Sequence, residues 1–441
     1  MRRLIACGLV LLGVTAVALL YLMPWDKAEG DGTLRPVVAG LAMASVGVYF
    51  LAVRLVLRHA QPRHAVWVVL IVAAALRLPM LFAPPILSSD IYRYVWDGRV
   101  QAAGINPYLY VPADPALAAL RDNAIYAHIN RPNYAHTIYP PAAQAVFAAL
   151  GRLSQTVFAE KLGVFGFEAL AIFCAIRLLA IAGLPAERVL IYAWNPLAVW
   201  SFAMDGHVDA IGIGLLAAAL LLLARNRDGL AGLLFGAAAL VKFLPLAVGP
   251  ALWRRGGRWR FAGGTAVAIA ALYACYANAG WHVLGFLSGY GAEEGLETGN
   301  GIWLLAGLGT IIPLPAYASK IYAAVALVIL GTMALWATTR SDSGDIRAIC
   351  SRAAALAAVA TAIAGPHYHG YFAWLALPAV VAPSRPAIWL SAAPVVLFVN
   401  PFEGVFYWAS LLYVPAILLA LAELRPLFSP IEGTSRCLQR L

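Results

Sequence analysis

The residues able to do acid–base chemistry in this chain are few, and they stand at the ends of apolar runs. Ser88-Ser89-Asp90-Ile91-Tyr92-Arg93-Tyr94-Val95-Trp96-Asp97-Gly98-Arg99 opens the longest polar stretch. On a helix, Asp90, Arg93, Tyr94 and Asp97 fall at i, i+3, i+4 and i+7 and share one face. A carboxylate at the lip of a membrane span, beside aromatics and arginines, can act as a base over a buried site. A solvated helix laced with internal ion pairs fits the same spacing. Asp205, His207 and Asp209 lie between two apolar runs, where charge is expensive unless it faces water, a partner or a cavity; Asp-x-His-x-Asp also has the make-up of a metal-ligand set. Lys242 interrupts Leu240-Val241-Lys242-Phe243-Leu244-Pro245 and either snorkels or binds an anion beside the helix break at Pro245. Arg77, near the outer end of the third apolar run, can serve likewise. His367 and His369 flank Tyr368 in a Gly-Pro-His-Tyr-His-Gly turn and can bind metal, titrate or simply hydrogen-bond. His128, Arg131 and His136 lie between the turn signals Gly104-Ile105-Asn106-Pro107-Tyr108 and Tyr139-Pro140-Pro141, and Glu403 ends Asn400-Pro401-Phe402-Glu403.

The elements that must hold these residues are membrane helices. Of 441 residues, 62% are hydrophobic and only 12% charged, with a mean hydropathy of +0.79. A soluble chain of this length needs far more polar surface, so a soluble enzyme, a disordered chain and a nucleic-acid-binding domain are excluded. The net charge of +10 reflects basic loops kept in the cytoplasm. Apolar runs follow one another from residue 4 to residue 424 and predict an all-α polytopic protein of about thirteen to fourteen transmembrane or partial helices. Several runs are too short for a full span and must be buried among neighbours or line a cavity. Residues 4–23 read as an uncleaved first span. The five cysteines share no CxxC spacing and indicate neither a metal site nor a disulfide framework.

Placing the arginine-rich loops inside leaves three groups of residues outside. These are a long loop at 84–160 bearing juxtamembrane helices, a second loop at 280–316 with Glu293, Glu294 and Glu297, and the polar turns named above. The alternation closes if 141–155 does not cross the bilayer. The long first loop is functional by its length alone. Acids, a lysine, arginines and histidines then meet above broken helices. A cation for an anionic leaving group plus a carboxylate base is equipment for group transfer from a lipid phosphate.

The blocks Ser89 to Gly98, Gly104 to Tyr108, Tyr139-Pro140-Pro141, Trp194-Asn195-Pro196, Gly206 to Asp209 and Ala237 to Pro245 together resemble the GT-C superfamily of integral-membrane glycosyltransferases. The likeness is strongest to bacterial polyprenyl-phosphate-mannose-dependent mannosyltransferases. It implies a catalytic membrane domain over 61–425, preceded by an extra hairpin at 1–60 and followed by a cytoplasmic tail at 426–441. It further implies transfer of a hexose, mannose before others, from a polyprenyl-phosphate carrier to an external glycan or lipid acceptor. Asp90 matches the base of such enzymes, with Asp97 second. Lys242, Arg77, Arg93 and His367 are the candidates for the donor phosphate. Tyr92, Tyr94, His128, Arg131, His136, Tyr139, Asp205, His207, Asp209, His369 and Glu403 are the candidate substrate contacts. Many such enzymes need no soluble cofactor, and some use a divalent ion. The expected setting is the inner membrane, with the site on its external face and no nucleic-acid partner. A lipid flippase or transporter is the contrasting class and calls for paired halves with matching broken helices, which the sequence lacks. An O-antigen-ligase-like transferase places its long loop later in the chain.

Overall fold

A computed structural model describes residues 1–23, 32–340, 344–399 and 405–428. The principal helices are α1 (Arg2–Tyr21), α2 (Arg35–Arg58), α3 (Ala65–Arg77), α4 (Asp90–Ala102), α5 (Pro141–Leu153), α6 (Val157–Ile181), α7 (Asp209–Ala224), α8 (Asp228–Ala239), α9 (Arg258–Ala274), α10 (Ala318–Thr339), α11 (Ile346–Ala364) and α12 (Val405–Phe428). No strand occurs among the described residues. In hydrocarbon each backbone N–H and C=O must be satisfied within its own segment, and helices do this for apolar runs of this length. The fold is therefore all-α, and the chain is a multi-pass membrane protein.

Among the described residues five helices, α1, α2, α6, α10 and α11, are long and apolar enough to cross a bilayer, and the number rises to seven when two sharply bent pairs are each counted as one span. The expected thirteen to fourteen segments include shorter apolar helices at 65–81, 228–239, 369–381 and 385–398. A twelve-residue helix such as α8 rises about 18 Å, well short of a hydrocarbon core of about 30 Å. These pieces are packed among the longer ones. α1 and α2 form a hairpin against α3, and α6, α7, α8 and α9 pack in series.

The break before α7 has a readable cause. Asn195 Oδ1 accepts from the backbone N–H groups of Leu197 (2.9 Å) and Ala198 (3.4 Å), and its amide donates to Ser391 Oγ (3.0 Å). A π-helical turn follows over Ala198–Met204, and the axis swings by 115° into α7. Gly206 sits in the bend at φ 67°, where a Cβ would also run into Ile91.

The first long loop has its own core, in which Ile91, Tyr94, Trp96, Leu117, Ile129 and Phe147 pack against Val208, Ile211 and Val241 of the membrane domain. α5, thirteen residues long, lies against α4 and does not make a span on its own. The two helices cross at Gly98 and Gly151, where an added Cβ would sit 2.5 Å from the Phe147 carbonyl oxygen or from the Gly98 backbone. Arg254 pairs with Asp228 at 2.5 Å and Arg347 Nε donates to the Ala182 carbonyl at 2.9 Å, so loops predicted to face inward contact one another.

Gly98→Ala should lower the midpoint of thermal unfolding in detergent by the equivalent of about 1–3 kcal/mol, the usual cost of overpacking. Gly166 on α6 has nothing within 4 Å of an added Cβ, and Gly166→Ala should leave the midpoint unchanged or raise it slightly. Equal melting of Gly98→Ala and wild type would show that the α4–α5 contact is not tight.

Candidate active site

The approach to Asp90 is held by two buried charges from distant parts of the chain. Lys161 of α6 donates Nζ to the carbonyls of Ala83 (2.6 Å) and Met80 (3.2 Å). Asp205 Oδ1 accepts the N–H groups of Ile86 and Leu87, both at 3.1 Å. The segment between α3 and α4 is thus clamped by its carbonyls on one side and its amides on the other. It delivers Asp90 to the first turn of α4, where Oδ1 accepts from Asn130 Nδ2 at 2.9 Å.

Asp97 lies two turns further along α4 and does different work. It is 1% exposed. Its Oδ1 accepts from Arg93 Nε (2.8 Å), and its Oδ2 accepts from Thr137 Oγ1 (2.6 Å) and Gln144 Nε2 (2.8 Å). The carboxylate ties α4 to the 137–144 segment and presents no face to a substrate. The same segment carries Tyr139-Pro140-Pro141. Tyr108 of Ile105-Asn106-Pro107-Tyr108 donates its hydroxyl to the Tyr139 carbonyl at 2.7 Å. The N–H groups of Ala142 and Ala143 reach the Leu240 carbonyl at 3.0 and 3.3 Å. This last contact fixes the turn bearing Lys242. Lys242 Nζ donates to both oxygens of Asp209 (2.8 and 2.9 Å) and lies 3.3 Å from the centre of the Tyr371 ring.

These groups surround a cavity of about 760 Å³, within the size range of ligand sites. Of the residues singled out from sequence, Asp90, Arg93, Tyr94, Arg131, His136, Tyr139, His207, Lys242 and His369 line it. Asp209 stands behind Lys242, with Oδ2 also 3.3 Å from His207 Nδ1. Asp205 faces the backbone of 86–87 and not the cavity. Tyr92 and His128 stack on each other at 4.7 Å outside the lining. Arg77 is buried against Glu168 (2.9 Å) and the Ala193 carbonyl (2.7 Å), so its charge is matched away from the cavity. His367 donates from Nε2 to the Gly301 carbonyl (2.6 Å), lies 3.3 Å from Glu294, and is also outside the lining. Glu403 lies outside the described residues. Among the described residues, no three His, Cys, Asp or Glu side chains converge as a metal set, and Asp205 and Asp209 are turned to different partners.

Sequence reading passed over Arg35, Asn130, Tyr290, Tyr368 and Tyr371, all of which line the cavity. Tyr368 belongs to the histidine turn already noted, and Tyr371 follows it directly. Asn130 and Arg35 carried no local signal. Two loop residues have shifted protonation equilibria. Partial burial works against the Arg131 charge, but Tyr368 and Glu293, the latter 2.7 Å away, more than offset it and hold the guanidinium charged. Burial, reinforced by neighbouring His282, pushes His136 below the ordinary imidazole value.

The fold is that of an all-α polytopic membrane protein, and its family is shown by comparison. A family described as alpha-(1->6)-mannopyranosyltransferase, N-terminal domain, matches residues 4–254, more than half of the 441-residue chain, and the chain belongs to this mannosyltransferase family. The match begins within α1 and takes in the N-terminal hairpin, which is therefore part of the matched region. Neither curated proteins nor solved structures yield a match.

Asp209→Asn should destabilise the protein by about 3–5 kcal/mol, since it strands the Lys242 charge, and Asp209→Asn combined with Lys242→Met should recover much of that loss. Equal melting of the single and double variants would show that the pair is not coupled. His136 should give a pH signature. A lowered folded-state pKa contributes stability that is present above the unfolded value of 6.5 and lost as pH falls through the folded value. The drop in melting temperature from pH 7 to pH 5 should be smaller in His136→Gln than in wild type; identical slopes would refute this.

Proposed function

We propose that this protein transfers a mannosyl residue from a polyprenyl-phosphate donor to a glycan or lipid acceptor on the external face of the inner membrane, with Asp90 as general base. The carrying observation is that Asp90 is the one carboxylate lining the cavity among the described residues, and no cation pairs with it there. A carboxylate set against its own arginine or lysine, as Asp97 and Asp209 are, is poorly placed to take a proton from a substrate.

The other walls support a lipid-linked donor. Phe243, Leu244, Ala247, Leu330, Ala360 and Ala364 form an apolar flank, and Leu330 belongs to α10, a helix only 6% buried within the protein. A prenyl chain suits that flank. A sugar phosphate suits the end lined by Asp90, Asn130, His207, Lys242 and His369. In the reaction, the acceptor O–H bond breaks and its proton passes to Asp90. The acceptor oxygen forms a bond to the anomeric carbon as the bond from that carbon to the phosphate oxygen breaks, through an oxocarbenium-like state. The configuration inverts, so an α product of the kind in the family description requires a β-linked donor. The phosphate departs without protonation by an acid and draws on positive charge in the cavity.

Asp90→Asn should reduce transfer from radiolabelled polyprenyl-phosphate mannose by at least a hundredfold in liposomes, within the range of general-base effects of about 10²–10⁴, while melting and donor binding stay near wild type. Retention of more than about a tenth of wild-type activity would remove Asp90 from this role. Transfer with a different carrier sugar only would keep the mechanism and change the substrate. Binding of the carrier lipid without transfer of any sugar would favour transport.

A further inference from the structure

A cavity that releases an anion needs a cation whose charge is not already matched. Lys242 is held by both oxygens of Asp209, Arg93 by Asp97, and Arg131 by Glu293. The remaining lysine or arginine on the cavity wall is Arg35, the first residue of α2. Its Nε donates to the Phe398 carbonyl at 2.9 Å. Among the described residues no carboxylate lies within ion-pair distance of it, and only one of its five N–H donors, on Nε, meets a protein acceptor there. It stands at the histidine corner of the cavity. The Phe398 ring meets the His369 ring edge-on at 4.4 Å, and the His369 and His207 rings are 5.2 Å apart. Each histidine is engaged through Nδ1, His369 with Ser201 Oγ at 2.9 Å and His207 with Asp209 at 3.3 Å, which leaves Nε2 of both as a further polar group in this corner.

We propose that Arg35 binds the phosphate released by the reaction, with His207 and His369 beside it, so that the N-terminal hairpin completes the active site. This rests on the reading of the site as a sugar-phosphate transferase. When the bond from the anomeric carbon to the phosphate oxygen breaks, its electron pair stays on that oxygen. A singly charged phosphodiester becomes a phosphomonoester with a second negative charge, while the acceptor proton resides on Asp90. The charge that develops in the transition state therefore falls on the phosphate. A guanidinium fork matches a phosphate in two parallel hydrogen bonds, which a paired lysine cannot supply. Lys242, by contrast, positions Asp209 and the 240–242 turn.

The test is binding of a short-chain prenyl monophosphate and of the matching prenyl alcohol to detergent-solubilised wild type, Arg35→Gln and Arg35→Lys, measured by calorimetry. Wild type should bind the phosphate more tightly than the alcohol. Arg35→Gln should lose about tenfold to hundredfold in phosphate affinity, the range for a charge-assisted hydrogen bond, with alcohol affinity unchanged. Arg35→Lys should fall between the two. Wild-type phosphate preference in Arg35→Gln would overturn the proposal, and so would a wild type that does not prefer the phosphate. If Arg35→Gln loses the alcohol as well, Arg35→Lys decides: a phosphate affinity reduced several-fold at unchanged alcohol affinity supports Arg35, and an unchanged one overturns it. Sugar transfer by the same wild-type preparation separates the two levels. Transfer together with an indifferent Arg35→Gln removes only this assignment, whereas absence of both transfer and phosphate binding removes the reading of the site with it.

Discussion

Charge carried into an apolar interior must meet an opposite charge or a set of backbone dipoles there, because stripping water from an ion is costly. This constraint organises the molecule. Arg77 of α3 answers Glu168 of α6, Arg93 answers Asp97 within α4, and Lys242 beyond α8 answers Asp209 of α7. The first and last of these pairs join elements far apart in sequence, so they fix helix positions as well as neutralise charge. They also define the chemistry by subtraction. Once the matched groups are set aside, the cavity retains among its described residues one carboxylate, Asp90, and one guanidinium, Arg35, without an ion-pair partner.

A second layer of order comes from backbone groups that broken helices leave without partners. In water such groups are cheap, but at membrane depth each needs a partner. Here the side chains that supply those partners also locate the site. Asn195 satisfies two amides at the start of the π-helical turn, Asp205 satisfies two before α4, and Lys161 satisfies two carbonyls just upstream. The residues that look chemically active in a linear reading are thus divided. Some meet a cavity, and others hold the chain that presents those.

Much of this was legible in the sequence. Helices and their approximate limits follow from apolar length, and the importance of the first loop follows from its size and from the spacing of Asp90 and Asp97. The choice between those two acids did not follow, since it depends on Thr137 and Gln144, which arrive from the far end of the loop to occupy Asp97. Arg77 and Lys242 looked alike as lone cations in apolar runs. Their carboxylates lie 91 and 33 residues away in sequence, beyond any local pattern. The short runs were readable as partial helices from their length, but hydropathy does not tell which neighbours bury them. Arg35 escaped notice because an arginine at the start of a span ordinarily marks only the membrane surface.

The apolar flank that reaches α10 has a kinetic consequence. On the proposed reading, the lipid-linked donor enters through it within the plane of the bilayer, while a glycan acceptor comes from the loop side, where Arg131 and Tyr290 line the cavity. The two substrates then have separate doors and do not compete for entry. Donor encounters are governed by the number of carrier molecules per area of membrane, and the volume of the surrounding solution does not enter. For such an enzyme the saturating quantity is a mole fraction in lipid, and diluting the bilayer with inert phospholipid slows the reaction even when every bulk concentration is unchanged.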